Sequence, residues 1–295
     1  MWLYIKKLLH HSNDNSFVIV VGFVFGFALI SQLTIYLVLF DLFTYKLVDI
    51  LLIFGLISLL FIMKVKIFNL SSHRITSSNH RQGFDLAFVS LGLIFLLFSI
   101  FLLFSYNTPD FISGDAKQYH LSFPYMLSLE GGIKNIHHSF ENSNRYLGYD
   151  ILYLYSSNLS ILNLQPVEGV SNFLFFNMIS NILLPLVMYN FTYDLTNSKK
   201  FSFVAALSLF TTSIAIHWLG GKNDIISSAF GLASIYFFYR FLNNKDYFII
   251  FALAAAFSIT VKLTNAIPLL FVISISLLLR KVNLKQLKIF IFIVL

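Results

Sequence analysis

Apolar runs of about 20 residues, separated by short polar segments, constrain the fold of this chain more than any other feature of its sequence. A helix of that length is about 30 Å long and matches the hydrocarbon core of a bilayer. Hydrophobic residues make up 58% of the chain and charged residues 11%, whereas soluble domains carry about 25% charged residues. The sequence therefore predicts an all-α integral membrane protein rather than a water-soluble globule.

About eight complete transmembrane helices are predicted, followed by a truncated ninth. The complete runs cover residues 17–40, 47–63, 84–106, 170–191, 201–219, 225–241, 247–261 and 266–279. The ninth begins at Ile289 and, ending at Leu295, forms only about 10 Å of helix, so we expect a fragment or a truncated reading frame. We divide the chain into two N-terminal spans with a cytoplasmic loop (1–83) and a transmembrane core (84–295).

The distribution of basic residues predicts a cytoplasmic N-terminus. Positively charged loops stay on the cytoplasmic side, and most of the 20 Lys and Arg residues fall in alternate connections, beginning with Lys6 and Lys7 and including Arg240 and Lys245. No small-residue cleavage site follows these lysines, so we expect the first span to be retained. A net charge of +7 dispersed in this way favours a lipid surface over nucleic acid as the partner.

Cysteine and histidine usage gives little indication of a metal or redox site. The chain has no cysteine, which excludes disulfides, thiolate metal sites and a cysteine nucleophile. His137 and His138 are adjacent, and neighbours in sequence point in different directions on a helix. The pair is therefore a weak indication of metal binding.

Residues 107–169 form a long outer loop that is too polar to cross the bilayer. Long loops in compact proteins are usually functional or disordered, and the aromatic and aliphatic content of this loop argues against disorder. Apolar residues at helical spacing predict two interfacial helices, one through Tyr119 and Phe123 and one over residues 147–162.

Asp115 precedes the first of these interfacial helices. As an N-cap it would accept hydrogen bonds from free backbone N–H groups. Its position at the lipid boundary also indicates a function. A carboxylate there is energetically unfavourable unless it is hydrated, paired with a cation or engaged with a substrate. It can accept the proton of an attacking hydroxyl, while Lys117 or His120 holds a phosphate oxygen of a departing group. Asp115 is therefore a candidate catalytic residue, and Lys117 and His120 are candidate substrate-binding residues.

Three further outer charges, Lys222, Asp224 and Lys262, are candidate substrate-binding residues. The Gly-Gly turn before Lys222 exposes backbone N–H groups that can bind phosphate. Equally, Lys222 can extend its ammonium to the interface and Asp224 can cap the helix that follows. Lys262 interrupts an apolar stretch between two short spans and is expected at or below the outer surface. Its anion is either a lipid headgroup phosphate or the phosphate of a lipid-linked substrate.

Three stretches of the chain are similar to a known superfamily. They are Gly114 to Leu121 with Pro124 after it, Lys222-Asn223-Asp224 with the helix that follows, and Ala254 to Lys262 with Thr264. The first looks like an Asp-x-x-x-Tyr-His-Leu-x-x-Pro opening of a first outer loop. Together they resemble the GT-C superfamily of membrane glycosyltransferases, in particular the bacterial relatives of protein mannosyltransferases and lipid A aminoarabinose transferases. The resembling region is the core, residues 84–295.

The resemblance implies transfer of a sugar from a polyprenyl-phosphate donor to a glycan, lipid or protein acceptor on the outer side of a bacterial inner membrane. It implies that Asp115 acts as a base or as an acid linked to a divalent metal, and no other cofactor is expected. Protein mannosyltransferases carry a second acid directly after this aspartate, where this chain has Ala116. The identity of the sugar and of the acceptor therefore stays open.

One alternative is a transporter or flippase of lipid-linked sugars, which binds the same phosphate without breaking a bond. A second is a non-catalytic membrane subunit, which would tolerate loss of Asp115 but leaves the outer cluster of charges unexplained. Flippases bury polar residues at mid-membrane, often on broken helices, whereas the charges here cluster at the outer ends of the spans. The leading hypothesis is thus a glycosyltransferase. In it Asp115 deprotonates the acceptor, and Lys222 or Lys262 steadies the leaving phosphate.

Overall fold

The computed structural model describes residues 15–40, 182–209 and 224–278, together with Lys288 and Phe290. Every regular element in these ranges is helical, which confirms the predicted all-α class for this part of the chain. The α-helices are α1 (Asn15–Leu39), α2 (Leu183–Thr196), α3 (Lys199–Ser208), α4 (Asp224–Asn243), α5 (Phe248–Val261) and α6 (Ala266–Leu278). Two 3-10 turns, Lys245–Tyr247 and Leu263–Asn265, precede α5 and α6.

The boundaries of α1, α4, α5 and α6 agree with the apolar runs to within a few residues. Helix α2, in contrast, continues past the predicted end at Phe191 as far as Thr196. In this polar last turn, the Asp194 carboxylate is paired with Arg240 of another helix. The predicted spans 47–63 and 84–106 and the outer loop 107–169 lie outside the described residues, as does the run from Ile289 except for Phe290.

Two of the described helices are long and apolar enough to cross a membrane, judged by length and composition. One is Ser16–Leu37, the greater part of α1, and the other is Asp224–Asn243, the whole of α4. At 1.5 Å per residue, α4 is about 30 Å long. Helix α6 with its preceding turn forms a shorter apolar helix, Leu263–Leu278.

Ring contacts show that α1 and α4 run antiparallel. Phe17, at the start of α1, packs against Tyr236 and Phe237 near the end of α4, with ring centroids 6.3 and 6.2 Å apart. Ten residues further along α1, Phe27 lies 5.9 Å from Phe230 in the first half of α4. The buried rings of these helices form the centre of the described core.

Helix α5 is also antiparallel to α4, since Phe230 pairs with Phe257 at 4.4 Å and Phe241 pairs with Phe248 at 5.3 Å. Helix α2 runs parallel to α4. Its Phe191 contacts Tyr236 at 5.7 Å, and Asp194, one turn later, contacts Arg240, one turn further along α4. These relative directions agree with the predicted alternation of the spans.

The bundle formed by α1, α2, α4 and α5 therefore has two distinct ends. The starts of α1 and α5 and the ends of α2 and α4 lie together at what we call the Arg240 end. The start of α4 and the end of α5 lie together at what we call the Lys262 end. At the Arg240 end, the Ser16 hydroxyl donates a buried hydrogen bond of 3.1 Å to the side-chain carbonyl of Asn190, which joins α1 to α2.

Local sequence explains where the chain turns between helices. Asn197 ends α2 with a φ of 51°, a left-handed conformation that asparagine tolerates better than most residues. The Ser198 side chain then accepts a hydrogen bond from the backbone N–H of Phe201 and starts α3. Pro268 fits into the first turn of α6, where a backbone N–H has no partner within the helix.

Candidate functional site

Asp224 and Lys262, two of the residues singled out in the sequence, meet at the Lys262 end. Asp224 is the first residue of α4, where a carboxylate interacts favourably with the helix dipole. Lys262 lies between α5 and the following 3-10 turn, with an extended backbone at φ −153° and ψ 118°. Because α4 and α5 are antiparallel, these termini coincide, and the Lys262 ammonium donates a hydrogen bond to Oδ1 of Asp224.

Both members of this ion pair are accessible from outside the helices. The side chain of Lys262 is 46% exposed and that of Asp224 is 49% exposed. Ion pairs of this exposure typically contribute only about 0.2–1 kcal/mol, because water and salt screen the charges. A stronger anion can therefore replace the Asp224 carboxylate at the ammonium of Lys262 at small cost.

The side chain of Asn265 joins the two helix ends that carry the ion pair. Its Nδ2 group donates to the carbonyl oxygen and the hydroxyl of Ser227 on α4, at 3.1 and 2.9 Å. It also donates to the carbonyl oxygen of Ser258 on α5, at 3.1 Å. The backbone N–H of Lys262 donates to the same Ser258 carbonyl at 3.1 Å, so the turn is tied to α5 twice.

The remaining candidates from the sequence lie elsewhere in the chain. Asp115, Lys117, His120 and Lys222 all fall outside the described residues. Within the part of the chain that the structure describes, no three His, Asp or Glu side chains approach closely enough to hold a metal ion. The described part of the candidate site is therefore one exposed cation with a carboxylate partner and an amide support.

Arg240 forms a second polar cluster, at the opposite end of the helices. Its guanidinium makes a bidentate ion pair with Asp194, with Nε to Oδ2 at 2.6 Å and Nη2 to Oδ1 at 2.9 Å. Its third nitrogen, Nη1, donates to the Tyr247 hydroxyl at 3.0 Å. The two charged side chains are only 20% and 18% exposed, so the pair is largely withdrawn from water.

Aromatic rings surround the guanidinium of Arg240 and complete this cluster. The guanidinium carbon lies 4.4 Å from the ring centroid of Phe17, 5.5 Å from that of Tyr236 and 5.4 Å from that of Tyr247. One cation is thus contacted by residues from α1, α2, α4 and the turn before α5. The contacts are cation–π interactions and charge-assisted hydrogen bonds. Each guanidinium nitrogen has a partner, which indicates a structural junction.

The sequence interpretation counted Arg240 as a charge of a cytoplasmic connection, whereas the structure places it inside α4, which continues to Asn243. The sequence did contain one indication of this cluster: an acid, Asp194, and a base, Arg240, each lie near the end of an apolar helix. Their separation of 46 positions gave no reason to pair them.

Comparison of the chain with protein-family models, with curated proteins and with solved structures found no match in any of the three.

Proposed function

We propose that this chain is a multi-pass membrane glycosyltransferase that moves a sugar from a polyprenyl-phosphate donor to an acceptor on the outer side of a bacterial inner membrane. The observation that carries the proposal is the contact between Asp224 and Lys262. These residues belong to two separate stretches that resemble GT-C enzymes. They lie 38 positions apart in the sequence and share one small exposed site.

Apolar side chains on the outside of the described helices support a membrane location. Large hydrophobic residues are strongly exposed on several helices: Phe201 (67%) on α3, and Ile267 (69%), Phe271 (66%) and Leu278 (82%) on α6. Such surfaces are stable in lipid and unfavourable in water. Together with the two span-length helices, these surfaces favour a membrane location for the chain.

The charges at the two ends support the orientation. Lys199, Lys200, Arg240 and Lys245 all belong to the Arg240 end. The positive-inside tendency favours that end in the cytoplasm. On this orientation Lys262 faces the outer leaflet, where a polyprenyl-phosphate donor presents its phosphate and sugar. Lys222, two positions before Asp224 in the sequence, belongs to the same proposed site.

The reaction we propose breaks the bond between the anomeric carbon of the sugar and the phosphate oxygen, and the bonding electron pair leaves with the phosphate. An acceptor hydroxyl forms the new bond to the anomeric carbon and gives its proton to the Asp115 carboxylate. Lys262 neutralises charge on the departing phosphate. Lys117, His120 and Lys222 supply further contacts to the donor, and Asp224 holds Lys262 in place until the phosphate arrives.

Replacing Lys262 with alanine tests the proposal. We expect release of polyprenyl phosphate from a radiolabelled polyprenyl-phosphate hexose to fall at least about tenfold, because a charge-assisted contact to phosphate is lost. The assay uses the full chain in liposomes together with an extract of acceptor glycans. Lys245→Ala is the matched control, because Lys245 is also an exposed lysine and lies over the Phe241 ring at the opposite end.

Two results would contradict this assignment. Equal release by wild type and Lys262→Ala would remove Lys262 from the site. Movement of intact donor between leaflets without release of polyprenyl phosphate would instead identify a flippase, because a flippase breaks no bond.

A further inference from the structure

We propose that Asn265 is the positioning residue that holds the Lys262 ammonium over the site, an inference that rests on the proposed function. Asn265 was not among the site residues suggested by the sequence. Its single amide nitrogen serves three acceptors on two helices. An amide nitrogen has two hydrogens, so at least one of these hydrogens is shared between two acceptors.

The spacing of the acceptors explains why this amide controls the ion pair. Ser227 is three positions after Asp224, one turn further along α4, and therefore lies on the same face of that helix. Ser258 is four positions before Lys262 and receives the Lys262 backbone N–H. Asn265 therefore joins the two helical turns that directly support Asp224 and Lys262.

The backbone of the turn reinforces this arrangement. The backbone N–H of Asn265 donates to the carbonyl oxygen of Lys262 at 3.0 Å. Asn265 is therefore hydrogen-bonded to Lys262 through the backbone, in addition to the side-chain bonds that it makes to Ser227 and Ser258. On α4, Gly231 lies one turn beyond Ser227 and faces the same amide. A Cβ at position 231 would lie 3.4 Å from the Asn265 Oδ1 atom, at the near limit of ordinary van der Waals contact, so α4 packs closely against this amide.

Without the amide, the junction loses the described side-chain hydrogen bonds that join the start of α4 to the end of α5, apart from the ion pair itself. Lys262 is an extended residue between two helical segments, and an exposed ion pair with Asp224 restrains its ammonium only weakly unless the backbone on both sides is held in register. A long lysine side chain that samples many rotamers binds a phosphate less well than a pre-positioned one. Asn265 therefore acts on the donor through Lys262.

The first test measures the position of Lys262 without any enzyme assay. We expect Asn265→Leu, which keeps the size and removes the donor, to raise the acetylation rate of Lys262 roughly two- to fivefold, the range for loss of an exposed ion pair. The full chain in liposomes is treated with an acetylating ester, and the Lys262 peptide is quantified by mass spectrometry. Asp224→Asn is the positive control.

Asn243→Leu is the matched negative control, because Asn243 Nδ2 donates only to Tyr239 within α4, at the other end. An unchanged Lys262 acetylation rate in Asn265→Leu, with a raised rate in Asp224→Asn, would overturn the positioning role. If Asn265→Leu does not fold, Ser227→Ala removes one of the three acceptors and is expected to raise the rate in the same direction by a smaller factor.

The second test separates positioning from general structural support. We expect Asn265→Leu to raise the KM for the radiolabelled polyprenyl-phosphate hexose roughly tenfold when Lys262 is present, and to have no further effect in the Lys262→Ala background. Equal losses in both backgrounds would overturn the inference. If the wild type releases no polyprenyl phosphate, the proposed function fails, and the acetylation result still decides whether Asn265 positions Lys262.

Discussion

Asp115→Asn is expected to lower the release of polyprenyl phosphate about 10²- to 10⁴-fold, the range for loss of a general base. The substitution replaces the proton-accepting carboxylate with a neutral amide of the same shape. It also separates the two interpretations of this residue, because asparagine caps a helix about as well as aspartate does. A purely structural Asp115 would therefore tolerate the change with little loss.

The measurement compares initial rates of release from the radiolabelled donor in liposomes, normalised to the amount of folded protein. Asp150→Asn is a suitable control, since Asp150 is another acid of the same loop, in the second predicted interfacial helix, and has no proposed role. Equal rates for wild type and Asp115→Asn would remove the residue from the chemistry and favour a binding or transport protein.

Arg240→Leu is expected to give a large loss of stability. It removes a cation that four segments contact and leaves the Asp194 carboxylate, only 18% exposed, without its ion-pair partner. Breaking a buried ion pair from one side typically costs about 3–5 kcal/mol. Partial exposure of this pair to solvent favours the lower part of that range.

Thermal unfolding of the detergent-solubilised chain, followed by loss of the monodisperse species, measures this effect. Lys245→Leu is the control, because its ammonium is exposed and only lies over the Phe241 ring at 4.3 Å. The double variant Arg240→Leu/Asp194→Leu is expected to recover much of the lost stability, since it leaves no charge unpaired. A melting temperature for Arg240→Leu within a degree or so of wild type would show that the junction contributes little.

Both predictions concern positions whose importance the sequence indicated to different degrees. Asp115 was singled out because of its place before an interfacial helix and its likeness to a family motif. Arg240 was noticed only as a positive charge near a helix end. The ion pair with Asp194 depends on α2 and α4 running parallel and in register, which is a property of packing.

The sequence by itself determined the class of structure and the extent of most described helices. Long apolar runs exclude strands of ordinary length and leave the helix as the element that satisfies every backbone group in lipid. Residues such as Ser198, Asn244 and Pro268 then mark the starts of helical segments through local hydrogen bonds and fixed φ angles. These signals act over a few positions and can be read directly from the chain.

Only the tertiary structure decided which distant residues meet. Asp224 and Lys262 were each predicted to lie on the outer side, but their contact requires the antiparallel register of α4 and α5 that packed rings such as Phe230 and Phe257 establish. The sequence indicated Asn265 only as a residue of the turn after Lys262, and nothing in the sequence marked it as part of a site. Its role exists only where three acceptors from two helices converge on one amide, and that convergence depends on side-chain packing that no local sequence pattern encodes.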